Sequence, residues 1–212
     1  MARAGNKALV YLSGTGETMT AAATTGADGK TFQIAATSWQ GHPWDATGAI
    51  TVATSSGTVS STGYTLYRLN GTVVAPTSST KAYTVSATVL PMAQVSNGHG
   101  FSYAITRTNP DVTVFGSSWR SRIAGPKDMT AEVQDFHDTL AIGNVLASTE
   151  NPVALAFHVS SSQAFDTRMW ALLSADSIAA AVDGALDGTV SFDGAADADG
   201  RMVTFTTRGT SG

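Results

Sequence analysis

The sequence predicts a mainly β protein of the sandwich or barrel class, with a short helix and extended loops. The first observation is a series of residue pairs that reach positive φ at low cost and close tight hairpins. They are Asp28-Gly29, Asn70-Gly71, Asn97-Gly98, Asp187-Gly188, Asp193-Gly194 and Asp199-Gly200. The second is the apolar-polar alternation of the runs between them, the period of a half-buried strand. The third is the scarcity of helical periodicity.

Alternating or β-branched runs predict the strands in chain order. These are Ala8 to Leu12, Thr31 to Ala35, Ile50 to Ala53, Tyr64 to Val74, Ala82 to Leu90, Phe101 to Thr106, Val153 to Val159 and Met202 to Thr207. The helix candidates are Thr139 to Ala147, with Asp138 as a candidate cap, and Asp176 to Val182. The second candidate could equally extend a strand that begins at Trp170.

Pro91 and Asn97-Gly98 interrupt the strand pattern and place a domain boundary there. We therefore predict a Ser/Thr-rich β region with an arm over residues 1–97 and a second β domain over residues 98–212. A single integrated domain is the alternative.

Composition restricts the function classes. Charged residues make up 13% of the 212 residues, about half the usual share, so the surface is small-polar or is covered by partners. Cysteine is absent, which excludes disulfides and thiolate chemistry. The formal net charge is -4 with scattered basic residues, so tight nucleic-acid binding is not expected. No apolar run suggests a membrane span or a signal peptide, and we expect a protein made in the cytoplasm.

Two glycine-rich stretches suggest phosphate binding, but the residue pattern favours loops. Gly26 to Thr31 ends like a P-loop, yet Thr24 stands where the first glycine belongs and an alternating run follows instead of a helix. A turn is the preferred interpretation. Ser13 to Glu17 lacks the third glycine and the helix of a dinucleotide loop, and an arm or loop is preferred.

Other candidate sites are also incomplete. Asp193, Asp197 and Asp199 resemble a calcium loop, but Ala195 occupies a ligand position and no Glu closes the loop. His137, between Asp135 and Asp138, could serve a metal or act as a general base, although a hydrogen-bonded surface histidine is preferred. No Gly-x-Ser-x-Gly motif is present. We therefore predict no catalytic, cofactor-binding or metal-binding residue, and no enzyme.

Aromatic and apolar residues mark the segment from Asp111 to Phe136. Val112, Val114, Trp119 and Ile123 alternate with polar residues, and a second alternating run from Met129 follows a Gly125-Pro126 turn. This predicts a hairpin-like unit with one apolar face. The four tryptophans, at positions 39, 44, 119 and 170, are more typical of core or interface residues than of a stacking platform.

This segment resembles the tail tube proteins of long-tailed bacteriophages. The similarity consists of a Val-rich strand running into Phe115-Gly116, Trp119 followed by basic residues, an Ile-x-Gly turn, and an alternating strand that ends in Phe136. It extends more weakly over later runs in the same half of the chain. These are Pro152 to Phe157, Trp170 to Ile178, Val182 to Phe192 and Arg201 to Phe205.

The resemblance implies a tail-tube-type fold and a structural role in the virion tail. Subunits of that family close into rings, taken here as hexameric, which stack into a conduit for DNA ejection. The implied partners are further copies of the chain, a tape measure protein in the lumen, and tail terminator and distal tail proteins at the tube ends. DNA would pass without specific binding, and no membrane or cofactor is implied. Open strand edges would pair between copies into an inner barrel.

Within that hypothesis, Val112, Val114, Trp119, Ile123 and Phe136 are expected on the packed side of the tube-wall sheet. Trp119, Arg120, Arg122 and Lys127 are the candidates for contacts with a neighbouring subunit. Asp183, Asp187 and Asp193 are candidates for the lumen. The alternative function is a carbohydrate-binding or decorative β module of a virion or secreted protein, which the Ser/Thr content and the aromatic residues also allow.

Overall fold

The computed structural model describes residues 9–26, 28–77, 82–95, 98–116, 118–136, 151–158, 165–179 and 187–207. Within these ranges the chain forms fifteen strands and two 3-10 turns, and it has no α-helix. All of the strand pairings are antiparallel and fall into two sheets. The mainly β class predicted from the sequence is confirmed.

Eight strands form sheet I. They are β1 (Leu9–Ser13), β9 (Met92–Gln94), β10 (Gly98–Arg107), β11 (Lys127–Phe136), β12 (Val153–His158), β13 (Phe165–Ala179), β14 (Asp187–Gly194) and β15 (Val203–Thr207). Their order is β10-β11-β14-β13-β12-β1-β9, and β15 pairs with β13.

Seven strands form sheet II. They are β2 (Glu17–Thr25), β3 (Thr31–Ile34), β4 (Thr51–Thr54), β5 (Gly57–Thr58), β6 (Thr65–Tyr67), β7 (Thr72–Val74) and β8 (Tyr83–Val89). Their order is β5-β4-β8-β2-β3-β7-β6. One 3-10 turn spans Ser61–Gly63, and the other spans Arg68–Asn70 and ends at Gly71, whose φ of 59° favours glycine.

Each sheet has its own apolar core. In sheet I, Phe157 is buried and packs against the rings of Phe101 and Tyr103, with centroids 5.0 and 5.4 Å away. In sheet II, the alternation along β8 buries Tyr83, Val85, Ala87 and Val89. Burying a large apolar side chain contributes roughly 1.5–3 kcal/mol, so the two cores supply much of the stability.

A third cluster joins the two sheets. It contains Ala46 and Leu69 from the sheet II side and Ala154 and Trp170 from sheet I, all buried. Arginines add polar contacts at this junction. Arg168 on β13 donates from Nη1 to the carbonyl oxygens of Gly41 at 2.6 Å and Leu69 at 3.0 Å.

In the sequence, all seven strands of sheet II lie between β1 and β9, which are neighbours in sheet I. Tyr11 on β1 is opposite Gln94 on β9 and Ala156 on β12, so strands from both ends of the first hundred residues join strands from the second half. The predicted boundary between residues 97 and 98 stays a prediction. Sheet I draws on both sides of it.

Several segments differ from the sequence prediction. The chain from Asp176 to Ala179 is not a helix, because β13 runs to Ala179. The alternative of an extended strand is confirmed for these residues. Residues 180–182 and the candidate helix at 139–147 lie outside the described residues. A 3-10 turn divides the strand predicted over Tyr64 to Val74. β2 was not predicted, because its register shifts between Met19 and Ala22 and Ala21 has a φ of 46°, which breaks the alternation.

Candidate assembly surface

The connection between β10 and β11 is a long loop, residues 108–126, which we call the β10–β11 loop. Its stem is held by one isolated bridge between Asp111 and Arg122 and by hydrogen bonds from the amides of Val112 and Ile123, at 2.9 and 3.1 Å. At the base of the loop, a Cβ on Gly125 would lie 2.0 Å from the Thr108 carbonyl oxygen. The two sides of the stem therefore approach as closely as only glycine allows.

An Asp-Thr turn orders the first side of this stem. The Asp111 carboxylate accepts hydrogen bonds from the hydroxyl and the amide of Thr113, and the Thr113 hydroxyl oxygen accepts from the amide of Ser121 across the stem at 2.9 Å. The hydroxyl bond first, and then the amide bond, lowers the pKa of Asp111 from its ordinary value. The turn thus links the two sides of the loop.

The apolar side chains of the β10–β11 loop are exposed in the protomer. Trp119 is 84% exposed, Val114 is 72% exposed, and Phe115 is fully exposed. Val112 and Ile123 are exposed as well. The expectation that Val112, Val114, Trp119 and Ile123 form the packed side of a sheet is wrong within one protomer, because the loop extends past the last paired residues of β10 and β11. The side chain of Phe136 lies outside the described residues.

The side chains that do cover the core from β11 are Met129, Ala131 and Val133. The second half of the predicted hairpin unit is therefore a true strand with one buried face. The first half has only the single bridge at Asp111. A cluster of exposed apolar side chains on one projecting loop is typical of a surface that another molecule covers.

The loop also brings together the basic residues predicted as contacts. Arg120 and Arg122 are exposed and lie beside Trp119 in the sequence, and Lys127 is exposed at the first position of β11, opposite Arg107 on β10. All four predicted contact residues thus lie at one end of sheet I. Their role in subunit contact stays a prediction.

The face of β10, β11 and β14 that lies away from the core of sheet I is polar, and it was not predicted from the sequence. In the register, Glu132 on β11 pairs with Ser102 on β10 and with Ser191 on β14. Two residues before Glu132, Thr130 pairs with Asp193 on β14. These residues line a shallow concavity of about 500 Å³. Alternate polar positions along β10 and β11 were the signal that could have predicted this face. Asp193, a predicted lumen candidate, lies on it; Asp183 and the side chain of Asp187 lie outside the described residues.

Several strand edges of sheet I have no partner among the described strands, and two of them belong to β10 and to the second half of β13. β10 is the outermost strand on its side. β13 pairs with β12 only through Asp166 to Ala171, so its second half, residues 172–179, pairs with β14 on one side and with no described strand on the other. Open edges of this kind accept a strand from another chain.

The structure supports a turn at the stretch that resembles a P-loop. Asp28 Oδ1 accepts hydrogen bonds from the amides of Thr31 at 2.6 Å and Lys30 at 2.9 Å, which lower the pKa of Asp28. β3 then begins at Thr31, so no helix N-terminus is available to bind phosphate.

The acidic hairpin tip is likewise structural. Asp197 is buried and accepts from the amides of Asp199 and Arg201, while Asp199 contacts Arg68. In the described part of the chain no three His, Cys, Asp or Glu side chains are grouped to hold a metal ion.

The histidines and tryptophans have different environments. His158 is buried with its Nε2 3.2 Å from the Asp166 carboxylate, and His42 Nδ1 accepts from the Met92 amide. His137 lies outside the described residues. Trp44 and Trp170 are fully buried in the core, as expected for structural tryptophans, whereas Trp119 is exposed.

Comparisons with known proteins give weak structural similarity. No protein-family model and no curated protein matches the chain. One solved structure, described as "Tail of empty GTA particle computed with helical refinement, C6 symmetry", is similar at a TM-score of 0.46 and 10% sequence identity, over 55% of this chain and 87% of that one. No enzyme family is indicated. In the described ranges, no helix has the length and apolar character needed to cross a membrane.

Proposed function

We propose that this protein is the tail tube subunit of a phage-like particle, which assembles into stacked, hexameric rings and forms the conduit for DNA ejection. The observation that carries the proposal is the β10–β11 loop. Its side chains at Val114, Phe115 and Trp119 are exposed in the protomer, yet they belong to a segment whose sequence resembles tail tube proteins. A second copy of the chain is the partner that would cover them.

The open edges of sheet I supply a route to ring closure. The strands β10, β11, β14 and the second half of β13 form a four-stranded unit. One side of this unit is the free edge of β10, and the opposite side is the free edge of residues 172–179 of β13. Pairing the first edge of one copy with the second edge of the next is a heterologous contact, and such contacts close into rings when the rotation per copy allows it.

The dimensions of the resulting barrel suit a conduit. Six copies of this four-stranded unit would give a barrel about 48 Å across at its backbone, with strands about 4.8 Å apart and tilted by about 40°. Such a bore admits a DNA duplex or a tape measure protein. Terminator and distal tail proteins would then cap the two ends of the tube.

The polar face of β10, β11 and β14 is suited to line the bore. Glu132 and Asp193 are exposed on it, and no Lys or Arg lines the concavity. A basic lining would hold DNA through its phosphates, and that attraction would slow its passage. A surface of hydroxyl groups and carboxylates allows passage without specific binding.

The direct test is negative-stain electron microscopy of the purified protein. We expect rings or tubes with a central hole. The double variant Phe115→Ser/Trp119→Ser should keep the fold, by circular dichroism, and lose the tubes. Tyr67→Ser is the matched control, because it removes another exposed aromatic residue, on β6 of sheet II, and should leave assembly intact.

The alternative function, a carbohydrate-binding or decorative module, predicts that the purified protein forms neither rings nor tubes. A carbohydrate-binding module would remain a monomer at high concentration and would bind members of a glycan array. That combination of results would overturn the tail tube proposal. Assembly of the Phe115→Ser/Trp119→Ser variant at the wild-type level would remove the β10–β11 loop from the contact.

A further inference from the structure

We propose that a cleft between sheet II and the β14–β15 connection binds the hydroxyl groups of a neutral sugar. This inference goes beyond the proposed function and does not depend on it. The cleft encloses about 60 Å³ and is lined by β6, the turn Arg68–Asn70, the β14–β15 connection and β15. The lining residues lie outside the β10–β11 loop and the four-stranded unit, so the proposed ring contacts do not use them.

A buried carboxylate oxygen carries the proposal. Asp197 is 5% exposed and lines the cleft. Its Oδ1 accepts hydrogen bonds from the amides of Asp199 at 3.0 Å and Arg201 at 2.8 Å. Its Oδ2 is buried and has no donor among the described residues. A buried acceptor without a donor destabilises the folded protein, so we expect Oδ2 to accept from a molecule that enters the cleft.

The charges around the cleft select a neutral ligand. Arg68 and Arg201 both line it; the Arg68 Nε pairs with Asp199 at 2.9 Å, and the Arg201 guanidinium carbon lies 4.6 Å from the centroid of the Tyr67 ring. A cation would be repelled by the two guanidinium groups, and an anion would be repelled by the Asp197 carboxylate. A hydroxyl group is neutral, and it can donate to a carboxylate while it accepts from a guanidinium or an amide.

The other walls of the cleft match the rest of a sugar. Asn70 Nδ2 donates to Thr204 Oγ1 at 3.3 Å, and both residues line the cleft, which therefore also presents an amide and a hydroxyl group. Tyr67 and Val203 supply apolar walls, and Tyr67 is 38% exposed. A volume of about 60 Å³ is the space of about two water molecules. It admits one or two hydroxyl groups, while the sugar ring packs on Tyr67 at the mouth.

The test is saturation-transfer NMR of the full chain with glucose, galactose, mannose and N-acetylglucosamine. At least one of these sugars should bind, with a Kd of about 1 mM. Tyr67→Ser, which removes the apolar wall, should weaken this binding at least about tenfold. Asp197→Asn should weaken it about fivefold, because Oδ1 stays with the two amides and an amide nitrogen replaces the charged acceptor. The matched control is Phe115→Ser/Trp119→Ser, which removes exposed aromatic residues outside the cleft and should bind as the wild type does.

Each outcome separates this inference from the proposed function. No transfer to any of the four sugars at about 10 mM, ten times the expected Kd, would overturn the inference. Equal binding by the wild type and Tyr67→Ser would also overturn it, and so would binding of methylammonium or acetate in place of the sugars. Tubes without sugar binding would leave the proposed function standing. Sugar binding by a wild-type protein that forms neither rings nor tubes would support the inference and overturn the proposed function.

Discussion

Arg68 donates from Nε to Asp199 Oδ2 at 2.9 Å, and this pair links the last turn before β7 to the connection between β14 and β15. The arginine is 6% exposed, and its Nη1 also donates to the carbonyl oxygens of Asp45 and Gly48, both at 2.7 Å. Arg201, two residues after Asp199, donates to the Leu66 carbonyl oxygen. The Arg68–Asp199 and Arg201–Leu66 contacts fix sheet II against the β14–β15 connection of sheet I with charge-assisted hydrogen bonds.

Removing the Arg68 side chain should destabilise the protein strongly. Arg68→Ala leaves two carbonyl oxygens and a carboxylate without their donor, and we expect a loss of about 3 kcal/mol in the free energy of unfolding. Asp199→Asn should cost only about 1 kcal/mol, because Asp199 is partly exposed and water replaces part of the lost interaction. Urea denaturation followed by circular dichroism measures both.

The control for this pair is Lys30→Ala, an exposed basic residue in the turn before β3, which should stay within about 0.5 kcal/mol of the wild type. If Arg68→Ala unfolds at the same urea concentration as this control, the pair does not hold the sheets together.

A single methyl group at Gly125 should open the stem of the β10–β11 loop. In Gly125→Ala the new Cβ would lie 2.0 Å from the Thr108 carbonyl oxygen, a backbone atom that cannot move alone. We expect faster hydrogen exchange at the amides of Val112 and Ile123, which bond across the stem. The core amides of β8 should be unchanged. Gly14→Ala is the control, since its Cβ would meet only an ordinary contact with Pro91.

The Asp111 turn should lose its order in acid. The Thr113 hydroxyl and amide lower the pKa of Asp111 below its ordinary value of 3.8, so these bonds stabilise the loop at neutral pH and are lost as the pH falls through the lowered pKa. A carbon-13 titration of the carboxyl group reports that pKa. Thr113→Val should bring it back toward 3.8. An unchanged titration in this variant would show that the hydroxyl bond is not its main cause.

Much of the fold was accessible from local patterns. β8 was predicted because Tyr83, Val85 and Val89 alternate with polar residues, and that alternation buries one face. β12 was predicted from the continuous run that follows Pro152, and all six of its residues are buried. One face lies in the core of sheet I, and Ala154 on the other face packs in the cluster that joins the two sheets. In both cases the side chains that set the pattern are covered by the protomer itself.

Local patterns could not show which alternating residues the protomer covers. Val112, Val114 and Trp119 alternate as a buried strand would, but their side chains are exposed in the protomer. The partner of Arg68 was also inaccessible, because Asp199 is 131 residues away in the sequence and only the packing of the two sheets brings them together. The sequence therefore marked the apolar side chains of the loop but did not show that they are exposed in the protomer.

Reversing a charge on the polar face tests whether that face lines the bore. Glu132 lies in the middle of β11, exposed and flanked in the register by Ser102 and Ser191, so Glu132→Arg should fold and assemble. In the proposed hexameric ring, six added arginines would meet the phosphates, so assembled tubes of this variant should retain duplex DNA at low salt. A filter-binding assay measures the retained DNA. Glu17→Arg, exposed on β2 of sheet II, is the matched control and should retain far less. Equal retention by the two variants would place Glu132 outside the bore.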